Sequence, residues 1–407
     1  MTELPAENPA VTPLTKPSNP ASVVDSGSGL ARVVAAFLGG TGPIAADCER
    51  ASGYRYGQAT YLVQLRRAGA GTALIDPTLL PNLSAIMDAV GDEEFVLHAA
   101  SQDLPGLADH GIRPARIFDT ELAARLLGME RVGLAAVVSD VLGLGLAKEH
   151  SAVDWSTRPL PEDWLLYAAL DVEVLIELRD ALAQRLQAAG KADWAAQEFE
   201  YLRTAPPPPP KPDPWRKVTG TSALRDQRRM AVVKALWEAR DYSARSRDIA
   251  PGRVLPDRAI LAAATALPRN TGQLIQLPEF AGKGQRRRAT QWQRAIDKAM
   301  RLPEDLLPPL RGPGTEGPPQ PRMWIDRNPE AAERLAAAKE FMAASAAELA
   351  VPVENLLQPD ALRRLCWTPP VKITPDTVGE ALAERNAREW QMTLLAAPLA
   401  KVLNAVT

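Results

Sequence analysis

The chain has 407 residues, of which 46% are hydrophobic and 24% are charged, and its formal net charge at pH 7 is −2. This composition is that of a globular protein with two or three domains. The two cysteines, Cys48 and Cys366, exclude a disulfide framework, and no apolar run reaches the roughly 18 residues of a membrane span, so we expect a cytoplasmic protein without a membrane partner.

The small net charge conceals an uneven distribution. Residues 30–203 contain 15 Lys/Arg and 24 Asp/Glu, a balance of 15 − 24 = −9, whereas residues 215–301 contain 19 and 7, a balance of 19 − 7 = +12. A strongly basic segment beside an acidic one indicates a polyanionic partner, with nucleic acid as the first candidate. The alternative is a solvated helical surface that is basic without binding anything.

In chain order, residues 1–29 are rich in Pro, Ser and Thr and lack the order of a signal peptide, so we predict a disordered tail. Residues 30–203 mix strand and helix patterns, which predicts an α/β domain. The predicted strands are 44–49, 60–66, 72–76 and 94–100, and the segments with helical spacing are 122–127 and 161–188.

Proline marks the domain boundaries that follow. Residues 204–214 contain five consecutive prolines and predict a semi-rigid linker, and residues 302–321 form a second Pro-rich break. The segments after these linkers, 215–301 and 322–407, have helical patterns throughout. Each has a turn with Pro and Leu followed by an Asp as a helix cap, Asp257 and Asp360, which predicts a duplicated small helical domain.

Acidic residues at strand and helix positions form the candidate site. Asp47 and Glu49 are two apart on a predicted strand and therefore point to one face, where they repel each other unless a cation lies between them. Asp103 follows the strand that begins near residue 94. Tyr167 and Asp171 are four apart on an apolar helix, so they share an inward face.

These residue types suit a hard divalent cation. Mg²⁺ takes carboxylate oxygens, water and substrate phosphate, and a pair of such ions can clamp both oxygens of an in-line displacement at phosphorus. A phenol beside the site can orient or deprotonate the attacking water. Each pattern taken alone is common by chance.

The combination is more specific, because other segments support it. Tyr61–Leu65 (YLVQL), Ile117–Gly128 (IFDTELAARLLG), Asp154–Leu160 (DWSTRPL) and Tyr167–Val172 (YAALDV) resemble the DEDD superfamily of 3′→5′ exonucleases, in its tyrosine subclass, and within it the ribonuclease D family. The two helical segments resemble the helicase-and-ribonuclease-D C-terminal (HRDC) domain.

The resemblance implies a ribonuclease H-like α/β exonuclease domain, a mixed sheet with flanking helices, followed by two all-α HRDC-type domains. It also implies two divalent ions, Mg²⁺ or Mn²⁺. Asp47 would bridge both ions, Glu49 and Asp171 would hold the ion that binds the attacking water, and Asp103 would support the second ion. Tyr167 would position that water.

The implied activity is a 3′→5′ exoribonuclease that releases 5′-monophosphates from RNA with a free 3′ end, with tRNA precursors as the expected substrate. The basic run Arg286, Arg287 and Arg288 would contact RNA phosphates. A DNA exonuclease with the same chemistry stays open, since no contact to the 2′-hydroxyl is identifiable. A non-catalytic RNA-binding protein is a further alternative, although it predicts a broken acid set.

Other residues have structural interpretations. Asp119 is a predicted N-cap of the helix near residue 121, and strand alternation places Cys48 in the core. His98 is interpreted as a structural histidine. For Arg158 and Lys148, two interpretations stay open: contact with RNA phosphate and structural pairing.

Overall fold

The computed structural model describes residues 11–18, 22–146, 152–207, 209–210, 212–312 and 317–406. Its N-terminal domain is built on a mixed sheet. The strands are β1 (Thr12–Leu14), β2 (Val23–Val24), β3 (Thr41–Arg50), β4 (Thr60–Ala68), β5 (Gly71–Ile75), β6 (Glu94–Leu97), β7 (Arg116–Asp119) and β8 (Leu144–Leu146).

Six strands form the sheet in the order β2-β5-β4-β3-β6-β7, and β1 pairs separately with β8. The β3/β4 and β4/β5 pairs are antiparallel and the others are parallel. The predicted strands at 44–49, 60–66 and 72–76 are confirmed. The one predicted over 94–100 ends at Leu97, because a 3₁₀ turn over Ala100–Gln102 follows it.

Part of the N-terminal segment that was predicted to be disordered forms secondary structure. Residues 1–10 and 19–21 lie outside the described residues, but β1 and β2 are ordered strands, and a helix begins at Gly27. Val23 and Val24 pair with Leu74 and Ile75 of β5, so they extend the sheet edge. The prediction is wrong over these described residues, because a two-residue apolar strand is too short to stand out from a Pro- and Ser-rich background.

Helices cover this sheet. The predicted helix over 161–188 is two helices, separated at Val174, and Asp119 accepts the amides of Glu121 and Leu122 as predicted for an N-cap. The helices are α1 (Gly27–Gly39), α2 (Ser84–Val90), α3 (Leu104–Asp109), α4 (Thr120–Leu126), α5 (Leu134–Leu142), α6 (Glu162–Glu173), α7 (Leu175–Ala188) and α8 (Ala192–Thr204).

The packing of α6 against β3, β4 and β5 positions the candidate site. Small side chains at Ala168 and Ala169 are buried against Leu62 and Leu74, which lets the helix approach the sheet closely. Trp155 is fully buried in the same cluster. This approach brings the next turn of α6 beside the end of β3.

The basic segment forms a compact helical unit with its own core. Trp292 is fully buried there, with Leu236, Ile260 and Phe280, so it is a core residue rather than a stacking platform for bases. Its helices are α9 (Gln227–Ser246), α10 (Pro251–Val254), α11 (Asp257–Ala266), α12 (Thr271–Gln276) and α13 (Lys283–Met300).

The C-terminal helices share a core with the sheet domain. Their buried side chains belong to the same continuous hydrophobic cluster as β3 and α7. The Trp194 and Trp390 rings stack with centroids 4.7 Å apart, and Arg388 Nε is 2.7 Å from Glu198 Oε1. These helices are α14 (Trp324–Arg327), α15 (Pro329–Leu349), α16 (Val353–Leu356), α17 (Pro359–Trp367), α18 (Pro375–Ala383) and α19 (Glu389–Asn404).

Lys191 links these two parts at helix ends. Its Nζ donates to Leu126 O at the end of α4, at 2.7 Å, and to Leu349 O and Ala350 O at the end of α15, at 2.7 and 3.2 Å. The final carbonyls of a helix have no partner within it, and they carry the negative end of the helix dipole. One ammonium therefore caps two helices from different parts of the chain. Among the described residues, no helix is long and apolar enough to cross a membrane.

We expect Lys191→Met to destabilise the protein by about 2–3 kcal/mol, because it leaves buried carbonyls without a donor. Thermal unfolding followed by circular dichroism should show a melting temperature lower by several degrees. Lys401→Met, at an exposed position of α19, is the matched control and should change stability by less than about 0.5 kcal/mol. Equal effects of the two substitutions would show that the helix-capping role is wrong.

Candidate active site

Strand β3 delivers two carboxylates from the interior of the sheet, between β4 and β6. Asp47 lies opposite Gln64 of β4, and Glu49 lies opposite Leu62. Leu62 packs against α6, so both carboxylates project from the sheet face that α6 covers. Glu49 is only 9% exposed. Cys48 is buried in the core on the other side of the strand, as predicted.

Asp103 reaches the same place from another strand. It follows β6 after the 3₁₀ turn, at the start of α3, and is 4% exposed. Arg50 Nη1 donates to Asp103 Oδ1 at 3.0 Å and to Gln102 O at 2.6 Å. Asp103 also lies close enough to Asp47 for the charge of Asp47 to raise the pKa of the Asp103 carboxyl.

Helix α6 completes the site with Tyr167 and Asp171, whose side chains are hydrogen-bonded to each other. One carboxylate oxygen each from Asp47, Glu49 and Asp171 lies within 4.8 Å of the other two. All five residues named from the sequence line one cavity of about 920 Å³, which is large enough for a nucleotide. Arg286, Arg287 and Arg288 are not among its lining residues; they lie on α13.

The carboxylates strongly disfavour their own ionisation. Burial, then the charges of Asp47, Asp171 and Asp103, raises the pKa of Glu49 to about 10. Burial and Asp47 raise the pKa of Asp103 to about 8, although Arg50 opposes this. Burial also raises the pKa of Asp47 and, together with the charge of Asp47, that of Asp171. The cation-free site therefore retains protons at neutral pH.

The Tyr167 phenol is held in its neutral form. Burial and the charges of Asp171 and Glu49 raise its pKa above the ordinary value of 10. A phenol that keeps its proton acts as a hydrogen-bond donor and not as a base. The hydrogen bond from Tyr167 in turn favours the ionised form of Asp171.

The donor set fits a hard divalent cation. The carboxylates of Asp47, Glu49 and Asp171 converge and are part-buried. The neighbouring cation, Arg50, forms its ion pair with Asp103 and not with these three. Such a cluster is stabilised by a multivalent cation with oxygen ligands. The Gln64 amide, opposite Asp47, is fully buried and has no hydrogen-bond partner among the described residues, so a polar group beside the site is also left unpaired.

Neighbouring residues have structural roles. His98 lines the cavity, its Nδ1 lies 2.9 Å from Thr120 Oγ1, and burial lowers its pKa to about 4, so it is neutral at physiological pH. Arg158 donates to both Asp76 oxygens at 2.6 and 2.9 Å, which identifies it as structurally paired. Lys148 lies outside the described residues.

Sequence reasoning missed Arg50 and Gln64. Arg50 directly follows Glu49 and pairs with Asp103, and a cationic residue directly after the D-x-E triplet was the signal available in the sequence. Gln64 stands inside an otherwise apolar strand, YLVQL, where an uncharged polar residue on a buried face marks a polar environment. Gln64 could not be assigned without the β3/β4 register, and Arg50 could not be assigned without the position of Asp103 after β6.

Comparison with known families identifies the domains. Residues 22–187 match the family model described as 3′-5′ exonuclease, which agrees with the inclusion of β2 and α1 in this domain. Residues 229–296 match the HRDC domain. Residues 317–403 match a different model, the 3′ to 5′ exonuclease C-terminal domain, where a second HRDC-type domain was expected. The fold and the match over residues 22–187 place the chain in the 3′-5′ exonuclease class.

Comparison with individual proteins identifies a narrower family within this class. It is 32% identical to ribonuclease D of Gluconacetobacter diazotrophicus over 64% of this chain and 68% of that protein. It is 34% identical to ribonuclease D of a Shewanella species over 54% of this chain, and spans only 57% of the length of that relative. The chain belongs to the ribonuclease D family.

Two solved structures are similar to this protein over nearly the whole chain. A protein from Bifidobacterium adolescentis matches with a TM-score of 0.88 and 37% identity, covering 97% of this chain and 99% of that one. Ribonuclease D of Escherichia coli, described as an exoribonuclease involved in structured RNA processing, matches with a TM-score of 0.66 and 25% identity, covering 95% and 99%.

The raised pKa values predict how stability depends on pH. The folded carboxyls keep protons that the unfolded chain releases near pH 4, so the free energy of unfolding of the cation-free protein falls as pH rises from about 4 towards 8 and above. Added MgCl₂ or MnCl₂ should raise the melting temperature more at pH 8.5 than at pH 5.5, since binding needs ionised ligands.

The substitution Glu49→Gln tests whether this site, and not other titrating groups, causes the pH dependence of stability. The variant should lose much of the pH dependence and most of the cation-induced stabilisation, whereas Asp88→Asn, at an exposed position of α2, should behave like the wild type. Parallel curves for Glu49→Gln and the wild type would contradict the assignment of Glu49 to the cation site.

Proposed function

We propose that the protein is a divalent-cation-dependent 3′→5′ exoribonuclease that removes one nucleotide at a time as a 5′-monophosphate. The observation that carries the proposal is the convergence of Asp47, Glu49 and Asp171 within 4.8 Å on an exonuclease fold, with Asp103 and Tyr167 in the same cavity. Family membership supports RNA as the polymer.

The carboxylates have distinct proposed roles. Asp47 would contact two cations, Glu49 and Asp171 would hold the first, and Asp103 would support the second. Bound Mg²⁺ or Mn²⁺ would supply positive charge against the scissile phosphodiester and its attacking water. Water adds to phosphorus and releases a proton, the bond to the 3′ oxygen of the preceding nucleotide breaks, and that oxygen takes up a proton and leaves as a hydroxyl.

Tyr167 would orient the attacking water instead of deprotonating it. Its phenol keeps its proton and is already fixed by Asp171. Correct orientation reduces the entropy lost on reaching the transition state. The neutral His98 on the cavity wall would add no charge to the reaction.

RNA with an unpaired 3′ end is the proposed substrate class, and tRNA precursors are the proposed physiological members. The Escherichia coli relative is described as processing structured RNA, and the positive charge of the first helical domain suits a folded polyanion. The buried free thiols of Cys48 and Cys366 are compatible with a reducing cytoplasm.

The first test is a time course on 5′-labelled RNA and its DNA counterpart with Mg²⁺, Mn²⁺ or EDTA. We expect a ladder that shortens from the 3′ end, only with metal, and RNA should be degraded faster than DNA. Asp47→Asn should lower the rate at least ~1,000-fold, because it removes a charged ligand while it preserves side-chain shape.

Asp88→Asn removes the same charge outside the cavity and should keep wild-type activity. Hydrolysis by Asp47→Asn at a rate near that of the wild type would contradict the site. A higher rate on DNA would favour the DNA exonuclease, and RNA binding without hydrolysis would favour a binding protein.

Tyr167→Phe tests the positioning role. It should lower kcat about 10- to 100-fold with little change in the cation concentration needed for half-maximal activity, because the phenol holds the water and not the metal. Single-turnover rates measured from pH 6 to 9 should fall by the same factor throughout. A changed pH profile would instead indicate that Tyr167 transfers a proton.

A further inference from the structure

The loop between β3 and β4 holds the first helical domain against the sheet domain. The Tyr56 hydroxyl donates to Asp241 Oδ1 at 2.8 Å and accepts from Arg245 Nη2 at 3.0 Å, and Arg245 also lies over the Tyr56 ring. This loop begins directly after the strand that carries Glu49. The helical domain is therefore docked beside the carboxylate cavity.

Arg253 of α10 contacts the loop that contributes Ser52 to the wall of that cavity. Its Nε donates to Gly53 O at 2.7 Å, and its guanidinium carbon is 4.0 Å from the centre of the Tyr54 ring. Ser52, the neighbour of Gly53, lines the cavity. The two terminal nitrogens of Arg253 have no partner among the described residues, so they are available to an anion.

Two further arginines lie on neighbouring segments: Arg288 contacts the residue after Arg253, and Arg247, at the end of α9, is close enough to Arg288 for its charge to act on it. Arg288 Nη1 is 3.5 Å from the carbonyl oxygen of Val254, the residue that follows Arg253. Burial and the nearby positive charge of Arg247 lower the pKa of Arg288. Arg247, Arg253 and Arg288, hereafter the α10 arginine cluster, thus form a concentrated positive charge that a bound anion would relieve.

The two acidic side chains at the C-terminal end of α9, Asp241 and Asp248, are already paired. Asp248 accepts the Tyr56 amide at 3.2 Å and lies 3.7 Å from Arg55 Nη1. Asp241 is engaged by Tyr56 and Arg245. The cluster therefore keeps its positive charge beside the loop that borders the carboxylate cavity.

We propose that the α10 arginine cluster binds backbone phosphates of single-stranded RNA, upstream of the few 3′-terminal nucleotides that the carboxylate cavity of about 920 Å³ holds. Residues 30–203, which form the cavity, carry a net charge of 15 − 24 = −9 that repels an approaching polyanion, and the arginine cluster offsets this repulsion. The site rests on the proposed exonuclease function for its orientation, with the 3′ end at the carboxylates.

The test compares Arg253→Gln and Arg247→Gln with Arg301→Gln as a matched control. Arg301 is an exposed arginine just after α13, roughly 20 Å along the helix axis from Arg288. Arg247 makes none of the docking contacts, so its substitution removes charge without loosening the loop. Binding of 5′-fluorescent RNAs of 20 and of 3 nucleotides is measured by anisotropy in EDTA, where hydrolysis cannot occur.

We expect Arg253→Gln and Arg247→Gln each to weaken binding of the 20-mer about fivefold and to reduce the slope of log K against log salt by about 0.7, as for the loss of one phosphate contact to a single strand. Arg301→Gln should bind like the wild type, and the 3-mer should be nearly unaffected. Equal losses for all three variants, or equal losses on both RNAs, would overturn the proposal.

Hydrolysis of the 20-mer with Mg²⁺ is measured in parallel, so the two proposals fail separately. If the wild type hydrolyses RNA but the cluster variants show no selective loss of binding, the proposed phosphate site is wrong and the proposed exonuclease function stands. If the cluster variants lose binding selectively but the wild type does not hydrolyse RNA, the proposed exonuclease function is wrong and an RNA-binding site at the cluster stands.

Discussion

Electrostatic repulsion among four acidic side chains is the constraint around which the sheet domain is arranged. Asp47 and Glu49 on β3, Asp103 after β6 and Asp171 on α6 are brought together in a setting that raises their pKa values. Folding without a cation must overcome this cost. The surrounding core, with Trp155 and the close approach of α6 to β3 and β4, supplies the packing that holds the carboxylates in place.

Rigidity around the cavity comes from all three parts of the chain. The C-terminal helices share a core with the sheet domain and are joined to it by Lys191 and by the Trp194–Trp390 stack. The first helical domain is attached through Tyr56 instead, by hydrogen bonds and cation–π contacts. The C-terminal helices are thus attached through a shared apolar core with added polar contacts, whereas the first helical domain has a separate core and is attached mainly by polar and cation–π contacts.

Much of the site was predictable because it depends on local periodicity. The two-residue spacing of Asp47 and Glu49 and the four-residue spacing of Tyr167 and Asp171 follow from strand and helix geometry, and the structure brings them together with Asp103. The contacts of Arg50 and Arg253 were not predictable, since they join elements far apart in sequence. The break at Val174 and the short strand β2 were missed because each is set by tertiary packing rather than by pattern.

The docking of Tyr54 and Tyr56 on α9 and α10 has an evolutionary consequence. These tyrosines belong to the sheet domain by sequence, yet their partners Asp241, Arg245 and Arg253 belong to the helical domain. A substitution on either side leaves unmatched groups on the other, so the two surfaces must diverge together. The helical domain is consequently not a freely exchangeable module, and a chimaera that borrows it from a relative must borrow the β3–β4 loop as well.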